Sequence, residues 1–323
     1  MTREDAGDSA RPSVKALLIG DSADPHIKAV VEQLPARGTV VVDASTLPQI
    51  LQRLGLGHST LIDETGQPVD LAGSHPAARG WIRRLAPAGW DDGPRLGSHA
   101  AARLASRMTL LAALLRDAST NWLCNVDSLF AAENKIVQYR AARAAGIRVP
   151  ETLVSAGTAE LTAAFGERFV VKPLGPGSFT DDQGNNRIVH TQVVTANELA
   201  GADLLGAPFL AQQLLVAQAH LRVVTVRAQA WTAELDATGL PLDWREAASA
   251  HHSFAQSAGW PTVERQAVHL ARALGTGFSC QDWIVDSDGP AFVDLNPGGQ
   301  WLFLPDSLTR RVAERLAKWL RGN

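Results

Sequence analysis

Cysteine is scarce in this chain of 323 residues: only Cys124 and Cys280 occur, far apart and among apolar neighbours. This excludes a disulfide framework and a CxxC zinc site, and it fits a reducing cytoplasm. Long apolar runs are also missing, since residues 108–115 fall far short of a membrane span. Residues 1–12 are polar and lack the apolar core of a signal peptide. We therefore expect a protein that stays inside the cell.

The chain also lacks an excess of one charge. Its formal net charge of −3 gives no general reason to bind nucleic acid or an anionic membrane, although local basic patches remain open. No GxxxxGK[ST] sequence occurs, which excludes a P-loop, and there is no internal repeat or low-complexity segment. With 46% apolar residues, the chain is long enough for two or three domains and for an enzyme cleft.

Alternating strand and helix patterns open the chain and predict an α/β layer. Residues 14–20 and 39–42 have the apolar character of buried strands, and residues 25–34 between them have a helical pattern. A hairpin is expected over residues 58–71, followed by one long amphipathic helix over residues 96–118. The first domain is therefore expected to end near residue 118.

The rest of the chain predicts further strands and helices. A helix over residues 128–145 carries Lys135 and is stopped by the sequence around Gly146. The expected strands lie at residues 152–154, 167–173, 187–191, 209–215, 221–226, 228–235, 281–285 and 291–295. The expected later helices lie at residues 258–274 and 306–321.

The most informative segment surrounds Asp294 and Asn296. Side chains alternate faces along a strand, so these two residues, two positions apart, point the same way. Asp282 lies on the preceding strand, and a turn at residues 286–290 is expected to fold both strands into a hairpin. Three hard oxygen donors suit Mg²⁺ that also binds substrate phosphates. The alternative is an exposed hairpin with ordinary polar residues.

A lysine at the end of a strand indicates a phosphate contact. Lys172 follows the apolar residues 169–171 and precedes a loop that contains Gly175, Gly177 and Ser178. Glycine permits the dihedral angles and the close approach that a backbone cradle for phosphates requires. An ordinary turn is the competing interpretation of this stretch.

Other charged residues are candidates for anion binding. Arg222 leads a buried strand, and its planar fork suits phosphate or carboxylate recognition. Asp243 and Arg245 follow a turn, where a solvated loop is the simpler interpretation. Lys135 lies on a predicted helix, where a lysine is most often only solvated.

In chain order, these residues resemble the ATP-grasp superfamily: a helix lysine, a strand lysine before a glycine loop, an arginine-led strand, then two acids and an asparagine. Within it, the chain is most similar to the graspetide (microviridin-type) peptide ligases. The similarity covers nearly all of the chain beyond residue 12. It rests on the motifs Trp81-Ile82-Arg83-Arg84, Asn134-Lys135-Ile136-Val137-Gln138, Gly146-Ile147-Arg148-Val149-Pro150-Glu151-Thr152, Asp243-Trp244-Arg245 and Asn296-Pro297-Gly298-Gly299-Gln300-Trp301.

The resemblance implies an ATP-grasp fold of mixed α/β (α+β) class. The expected parts are an N-terminal pre-ATP-grasp α/β domain over residues 13–118, a central domain over 119–205 and a C-terminal domain over 206–323. ATP is expected between the last two domains, and the C-terminal domain is expected to carry the magnesium site. The family also suggests a homodimer.

The family's site residues carry over to matching positions. The implied Mg²⁺ ligands are Asp282, Asp294 and Asn296. The implied ATP contacts are Lys135, Lys172, the loop residues Gly175, Gly177 and Ser178, and an adenine hinge of Gln212, Gln213, Leu214 and Leu215. The implied catalytic residues are Lys172, Arg222 and Arg245. The implied substrate contacts are Arg83, Arg84, Asp243 and Arg245; a structural salt bridge is the alternative for Arg83 and Arg84.

Two positions depart from the family pattern. Asp294 stands where the family usually has glutamate, which shortens the reach of the carboxylate by one methylene group. His220 stands where an acidic residue often precedes the arginine, so the family's mode of ribose recognition does not carry over directly.

The implied reaction closes a ring within a ribosomal precursor peptide. A side-chain carboxylate attacks the γ-phosphoryl group of ATP, while magnesium, lysine and arginine neutralise the phosphates. A Thr or Ser hydroxyl or a Lys amine of the same peptide then displaces phosphate from the acylphosphate and forms an ester or an amide. In the family, a leader segment of the precursor docks on the enzyme and holds the core peptide near the site.

Two other functions stay open at this point. One is an ATP-grasp ligase for free amino acids or a protein terminus, similar to the glutathione-synthetase and glutamate-ligase branch. The other is a nucleotide-binding protein that has kept the fold without the chemistry. Formation of a ring, detected as loss of one water within one peptide, separates these functions from peptide macrocyclisation.

Overall fold

The chain divides into two units in a computed structural model. The first unit comprises residues 1–129, 275–278 and 309–323, and the second comprises residues 130–274 and 279–308. The described residues are 11–72, 77–87, 97–155, 157–174, 178–180, 186–188, 191–200, 209–257 and 259–322. Within these ranges, no helix is both long enough and apolar enough to cross a membrane.

The helices and strands follow one another in mixed order. Up to residue 133 they are β1 (Ala16–Ile19), α1 (Pro25–Val31), β2 (Thr39–Val42), α2 (Leu47–Ile50), β3 (Leu51–Leu54), β4 (His58–Ile62), β5 (Pro68–Ala72), β6 (Ala78–Ile82), α3 (His99–Leu115), β7 (Thr120–Trp122) and α4 (Val126–Glu133). From residue 135 they are α5 (Lys135–Ala144), β8 (Thr152–Ser155), α6 (Thr158–Phe165), β9 (Arg168–Lys172), β10 (Ser178–Thr180), β11 (Asn186–Ile188), β12 (Gln192–Thr195), α7 (Ala196–Ala200), β13 (Phe209–Gln212), β14 (Ala219–Val226), β15 (Gln229–Asp236), β16 (Ala255–Ser257), α8 (Pro261–Ala273), β17 (Phe278–Asp286), β18 (Gly289–Asn296) and α9 (Asp306–Leu320).

The first unit contains a parallel sheet and an antiparallel one. The parallel sheet has the order β2-β1-β6-β7, and its strands β1 and β2 are buried along their whole length. Such burial on both faces explains why these strands are continuous apolar runs. Strands β3, β4 and β5 form the antiparallel sheet. Helix α3 begins after Ser98, whose hydroxyl caps the Ala101 N–H at 3.1 Å.

The second unit contains two main sheets. Strands β12, β9, β13 and β8 form an antiparallel sheet in that order, and the other sheet has the order β16-β15-β14-β17-β18. A core cluster of this unit joins the second sheet to α5 and α8 through apolar side chains such as Val223, Leu270, Trp283 and Phe292. The sheets therefore place the ends of β9 and β13 and the hairpin of β17 and β18 within one unit.

Most predicted elements are confirmed. The strand at residues 39–42, the hairpin at 58–71 and the hairpin formed by β17 and β18 are all present. The long helix predicted for residues 96–118 is found over His99–Leu115. The division into three domains stays a prediction.

Candidate active site

Two carboxylates face each other across the β17–β18 hairpin. Asp282 is the register partner of Asp294, and the ladder is irregular immediately after this pair. Their side chains are 23% and 28% exposed. Asn296 ends β18 as an exposed residue, and its Oδ1 accepts a hydrogen bond from the Gly298 N–H at 2.9 Å. The hairpin thus brings the first two predicted metal ligands together, with Asn296 at the end of the same strand.

Each of the two carboxylates has its own cation. Arg222 Nη1 donates to Asp282 Oδ1 at 2.7 Å, and Lys135 Nζ donates to Asp294 Oδ1 at 2.5 Å. Burial alone would raise the pKa of Asp294, but attraction to Lys135 and Lys172 offsets this effect and holds the pKa below its usual value. Because like charges directly opposite on neighbouring strands repel, the two cations stabilise this arrangement.

The facing carboxylates fit a divalent cation. Mg²⁺ takes one or two protein carboxylates together with phosphate oxygens. Asp282 and Asp294 supply two such carboxylates, both partly exposed and both lining the same cavity. The donor set therefore suits a magnesium ion that is shared with a nucleotide, and Asn296 stays the predicted third ligand.

Lys135 is the first residue of a helix. The continuous helix predicted for residues 128–145 is wrong, because the chain breaks between α4 and α5 at Asn134. The Asn134 Oδ1 accepts hydrogen bonds from the N–H groups of Ile136 and Val137 at 3.0 and 3.3 Å. Asparagine favours this role because its short amide competes for backbone groups. A cation in a first helical turn is opposed by the helix dipole, so the ion pair of Lys135 compensates for an unfavourable position.

Lys172, at the end of β9, is oriented by a buried tyrosine. Its Nζ lies 3.5 Å from the Tyr139 hydroxyl, which donates to the Val293 carbonyl at 2.7 Å. Burial lowers the pKa of Lys172 to about 8; attraction to Asp294 opposes this shift and repulsion from Lys135 reinforces it. Tyr139 is the single tyrosine of the chain and follows Lys135 by four residues, one helical turn, and this spacing is the sequence signal that could have indicated its role.

Arg222 is fixed from several sides and is only 8% exposed. Its Nη2 donates to the Gln300 carbonyl at 2.9 Å, and its guanidinium lies 5.8 Å from the centre of the Phe303 ring. A Cβ on Gly299 would lie 3.2 Å from Arg222 Nη2 and 2.4 Å from the Cβ of Cys280, so only glycine fits there. The predicted catalytic arginine is therefore held against a predicted metal ligand.

Arg245 and Asp243 form a two-point ion pair. Arg245 Nε and Nη2 donate to the two carboxylate oxygens of Asp243 at 2.7 and 2.6 Å. The side chain of Asp243 is 3% exposed and that of Arg245 is 56% exposed. The hydrogen bond with Asp243 is the main reason that the pKa of Arg245 is raised. Of these two predicted substrate contacts, Arg245 is the accessible one, and Asp243 orients it.

Most of these charged side chains line one cavity of about 480 Å³, a size typical of small-molecule sites. Apolar walls come from Val170, Leu215 and Ile284. The predicted site residues in its lining are Lys135, Lys172, Gln212, Gln213, Leu215, Asp243, Arg245, Asp282 and Asp294. Among the predicted site residues whose side chains the structure describes, Arg83, Arg84, Leu214, Arg222 and Asn296 are not part of this lining.

The predicted adenine hinge follows β13. The Gln212 amide donates to Thr152 Oγ1 at 2.9 Å, and the Gln213 N–H donates to the Glu151 carbonyl at 2.9 Å. These bonds tie the end of β13 to the start of β8 and hold the apolar wall at Leu215 in place. The hinge itself stays a prediction.

Two further residues near the cavity were not identified from the sequence as site residues. Gln138, on α5, makes hydrogen bonds to the N–H and the C=O of Leu295, the residue between Asp294 and Asn296. His220 lines the cavity, and burial lowers its pKa, although Asp282 and Asp243 oppose this shift. Gln138 and His220 are polar residues with apolar neighbours in the chain, which gives no sequence signal for a site role. The hydrogen bonds of Gln138 with Leu295 and the attraction of His220 to the acids of the cavity are seen only in the folded chain.

The remaining predicted residues lie elsewhere. In the first unit, Arg83 is buried, with its Nε 3.4 Å from an Asp24 carboxylate oxygen and its Nη2 3.4 Å from Nδ1 of His26. The structure therefore shows a buried ion pair for Arg83, and its role as a peptide contact stays a prediction. Arg84 is exposed.

The glycine loop stays a prediction. Gly175 and Gly177 lie outside the described residues, and Ser178 begins β10, which pairs with β11.

Similar folds are found among solved structures. Macrocyclase MdnC from Microcystis aeruginosa MRC, bound with precursor peptide MdnA, has a TM-score of 0.77 at 20% identity over 95% of this chain and 99% of that chain. A RiPP-associated ATP-grasp ligase from Chryseobacterium gregarium, in complex with ADP and a leader and core peptide, has a TM-score of 0.79 at 20% identity over 94% of this chain and 96% of that chain. Macrocyclase MdnB from Microcystis aeruginosa MRC has a TM-score of 0.71 at 24% identity over 96% of this chain and 99% of that chain.

No protein-family model matches the chain, and no curated protein matches it. At these low identities the structural similarity concerns the fold. The chain has the ATP-grasp fold, which confirms the predicted mixed α/β class.

Proposed function

We propose that this chain is an ATP-dependent ligase that activates Asp or Glu side chains of a ribosomal precursor peptide and closes ester or amide rings. The observation that carries this proposal is the cavity in which Asp282 and Asp294 face each other, each with its own cation, beside Lys172 and Arg245. Two acids and several cations within one cavity suit a reaction that joins an anionic nucleotide to a carboxylate.

The lysines and the apolar wall are suited to ATP. Lys135 and Lys172 both line the cavity, where they would neutralise phosphate oxygens. Leu215 and Ile284 offer an apolar surface for the base next to the end of β13. Asp282, Asp294 and Asn296 would hold Mg²⁺, which supplies charge neutralisation and orientation of the phosphates.

Arg245 is suited to the carboxylate of the peptide. In the first step, a bond forms between a carboxylate oxygen of the peptide and the γ-phosphorus of ATP, and the bond from that phosphorus to the bridging oxygen breaks, which releases ADP. The accessible guanidinium of Arg245, oriented by Asp243, lowers the repulsion between the two anions.

The second step closes the ring. A Thr or Ser hydroxyl oxygen, or a Lys amine nitrogen, of the same peptide forms a bond to the acyl carbon. The bond from that carbon to the phosphate oxygen breaks, and phosphate leaves with the proton of the nucleophile. Lys172 and Arg245 are suited to stabilise the departing phosphate, since both line the cavity.

The cellular setting belongs to the same proposal. A reducing cytoplasm is supported by Cys124 and Cys280, which are both buried thiols. A leader segment of the precursor is proposed to hold the core peptide near the cavity, and the enzyme is proposed to be a homodimer. Light scattering of the purified chain tests the dimer.

The experiment that tests the proposed function is Mg²⁺-dependent ATP turnover with a short peptide rich in Thr, Asp and Glu that is encoded beside the gene of this chain. ADP release and peptide mass are followed together, for the wild type and for Asp294→Ala. We expect peptide-dependent ADP release with loss of one water per ring, and we expect the variant to lose both because it lacks a metal-binding carboxylate.

Two other outcomes would contradict the proposal. ADP release with an unchanged peptide mass would indicate a ligase for free amino acids or a protein terminus. Binding of ATP without turnover on any peptide would indicate a nucleotide-binding protein without catalysis. Asp288→Asn, at an exposed carboxylate in the turn of the same hairpin, serves as the control and should turn over like the wild type.

A further inference from the structure

A second cavity of about 290 Å³ lies between α5 and β8 and is called here the α5–β8 groove. Helix α5 contributes Ile136, Tyr139, Arg140 and Arg143, which are spaced as one face of a helix. Pro150 lines both this groove and the larger cavity, so the two spaces adjoin. The groove has an apolar floor and a basic side.

The other side of the groove is the edge of a sheet. In the described part of the chain, β8 pairs with β13 and with no other strand. The Gln213 N–H donates to the Glu151 carbonyl, so this pair is a hydrogen-bonded pair of the antiparallel ladder. In an antiparallel ladder, hydrogen-bonded pairs alternate with pairs whose N–H and C=O groups point away from the partner strand. Thr152 and Val154 belong to the second kind, so their N–H and C=O groups point away from β13 and out of the sheet. Val154 is 39% exposed.

The basic side carries charge that the described residues do not neutralise. Arg140 and Arg143 are both exposed, and neither has a carboxylate within ion-pair distance in the ranges that the structure describes. Two neighbouring guanidinium groups without carboxylate partners attract an anion with two charges. The charge of the groove is therefore complementary to an acidic partner.

The spacing of the two arginines matches an extended peptide. Residues three apart on a helix have Cβ atoms about 5–6 Å apart. Alternate residues of a strand are about 7 Å apart and point the same way. The two spacings differ by only about 1–2 Å, which the long arginine side chains can span. Carboxylates at positions i and i+2 of an extended peptide can therefore each contact one guanidinium.

We propose that the α5–β8 groove binds an extended acidic peptide segment by strand addition to β8. The backbone of the segment pairs with the outward N–H and C=O groups of Thr152 and Val154, and two alternate carboxylates pair with Arg140 and Arg143. This proposal is separate from the proposed ligase activity: Pro150 is the single described residue that lines both cavities, although Tyr139 and Thr152 of the groove contact Lys172 and Gln212 of the larger cavity.

The test uses the full chain and the probe acetyl-Thr-Glu-Val-Glu-Thr-amide carrying a fluorophore, with binding measured by fluorescence anisotropy at low salt. The comparison peptide has Gln at both Glu positions. We expect the double change Arg140→Ala and Arg143→Ala to weaken binding of the Glu peptide by about tenfold, as two exposed ion pairs allow. The Gln peptide should bind the wild type about as weakly as the Glu peptide binds the double variant.

Hydrogen exchange separates strand addition from simple charge attraction. The Thr152 and Val154 amides should exchange more slowly when the Glu peptide is bound. Arg272→Ala, at an exposed arginine of α8, is the matched control and should bind like the wild type. Both arginine sites lie on exposed helix positions where alanine is a good helix former, so the variants should fold.

Three results would overturn the proposal: equal binding of the Glu and Gln peptides, binding unaffected by the double arginine change, or amide exchange of Thr152 and Val154 that the peptide leaves unchanged. Displacement of the Glu peptide by a single-stranded oligonucleotide at equal concentration would also overturn it, since the surface would then be a general anion site.

Discussion

Gln138 satisfies both backbone groups of Leu295: its Nε2 donates to the Leu295 carbonyl at 2.7 Å, and its Oε1 accepts from the Leu295 N–H at 2.9 Å. Among the described strands, β18 is an edge strand of its sheet. The Gln138 side chain therefore makes the hydrogen bonds that a neighbouring strand would otherwise make. Because Gln138 is on α5, these bonds couple the helix of Lys135 to the strand of Asp294.

The first prediction concerns this coupling. Gln138→Leu should lower the free energy of unfolding by about 1–3 kcal/mol, because it leaves buried backbone groups of Leu295 without partners. It should also raise the KM for Mg²⁺ in ATP turnover, since Leu295 lies between Asp294 and Asn296. Chemical denaturation and magnesium titration measure the two effects.

Val137→Ala is the control for Gln138→Leu, because Val137 is exposed on the same helix. It should leave the KM for Mg²⁺ unchanged. A loss of stability in Gln138→Leu with an unchanged KM for Mg²⁺ would mean that Gln138 has only a structural role.

The second prediction concerns the facing carboxylates. Asp282→Asn should raise the KM for Mg²⁺ by at least about tenfold, because it removes one of two charged oxygen donors. Asp288→Asn removes a carboxylate from the turn of the same hairpin, where its side chain is 78% exposed, and should change this KM by less than about twofold. Equal effects of the two substitutions would place the metal elsewhere.

The third prediction is a pH dependence of nucleotide binding. The pKa of Lys172 is about 8 in the protein without nucleotide, so the amine is charged below this pH and neutral above it. Phosphate binds the charged form, and affinity for ADP should therefore fall above pH 8 by up to about tenfold per pH unit. Calorimetric titration with ADP between pH 7 and pH 9.5 measures this.

Lys172→Arg is the matched variant for the pH experiment, because a guanidinium stays charged over this range. Its affinity for ADP should be nearly flat between pH 7 and pH 9.5. If the wild type is equally flat, the amine of Lys172 does not contact phosphate.

The fourth prediction concerns the stability of the first unit. Asp63 is buried and accepts hydrogen bonds from Arg37, Gly38, Thr65 and Gln67. Burial alone would raise its pKa, but the hydrogen bonds from Thr65, Gly38 and Gln67 outweigh this effect and lower the pKa to about 2.

The unfolded chain therefore binds more protons than the folded one between pH 2 and about pH 4. Asp63 should contribute about 2 kcal/mol of stability that is present above pH 4 and lost as the pH falls through 2. Asp63→Asn should remove this pH dependence, measured by urea denaturation, whereas Glu32→Gln at an exposed position should leave it in place. An unchanged profile in Asp63→Asn would contradict the prediction.

Local patterns in the sequence were sufficient for most of the fold. The run of apolar residues in β2 and the turn residues between β17 and β18 act within a few positions of the chain, so the strand and the hairpin follow from them directly. The break at Asn134 does not follow from the periodicity, because the helical pattern continues on both sides of it, although asparagine is a good helix cap.

Sequence patterns alone specify which side chains with useful chemistry exist and which of them share a strand. They place Asp294 and Asn296 two residues apart and Asp282 on the preceding strand, because strand periodicity and hairpin turns are local properties. The order of the motifs also pointed to the ATP-grasp fold, which the structure confirms.

The partner of a charged group depends on tertiary packing where the two lie far apart in the chain. Lys135 and Asp294 are separated by 159 residues, and Gln138 and Leu295 by 157. Arg83 pairs with Asp24 in a buried site instead of facing solvent. Such pairs depend on how sheets and helices pack. A charged or polar side chain could bond to many partners, and packing decides which of them comes within reach.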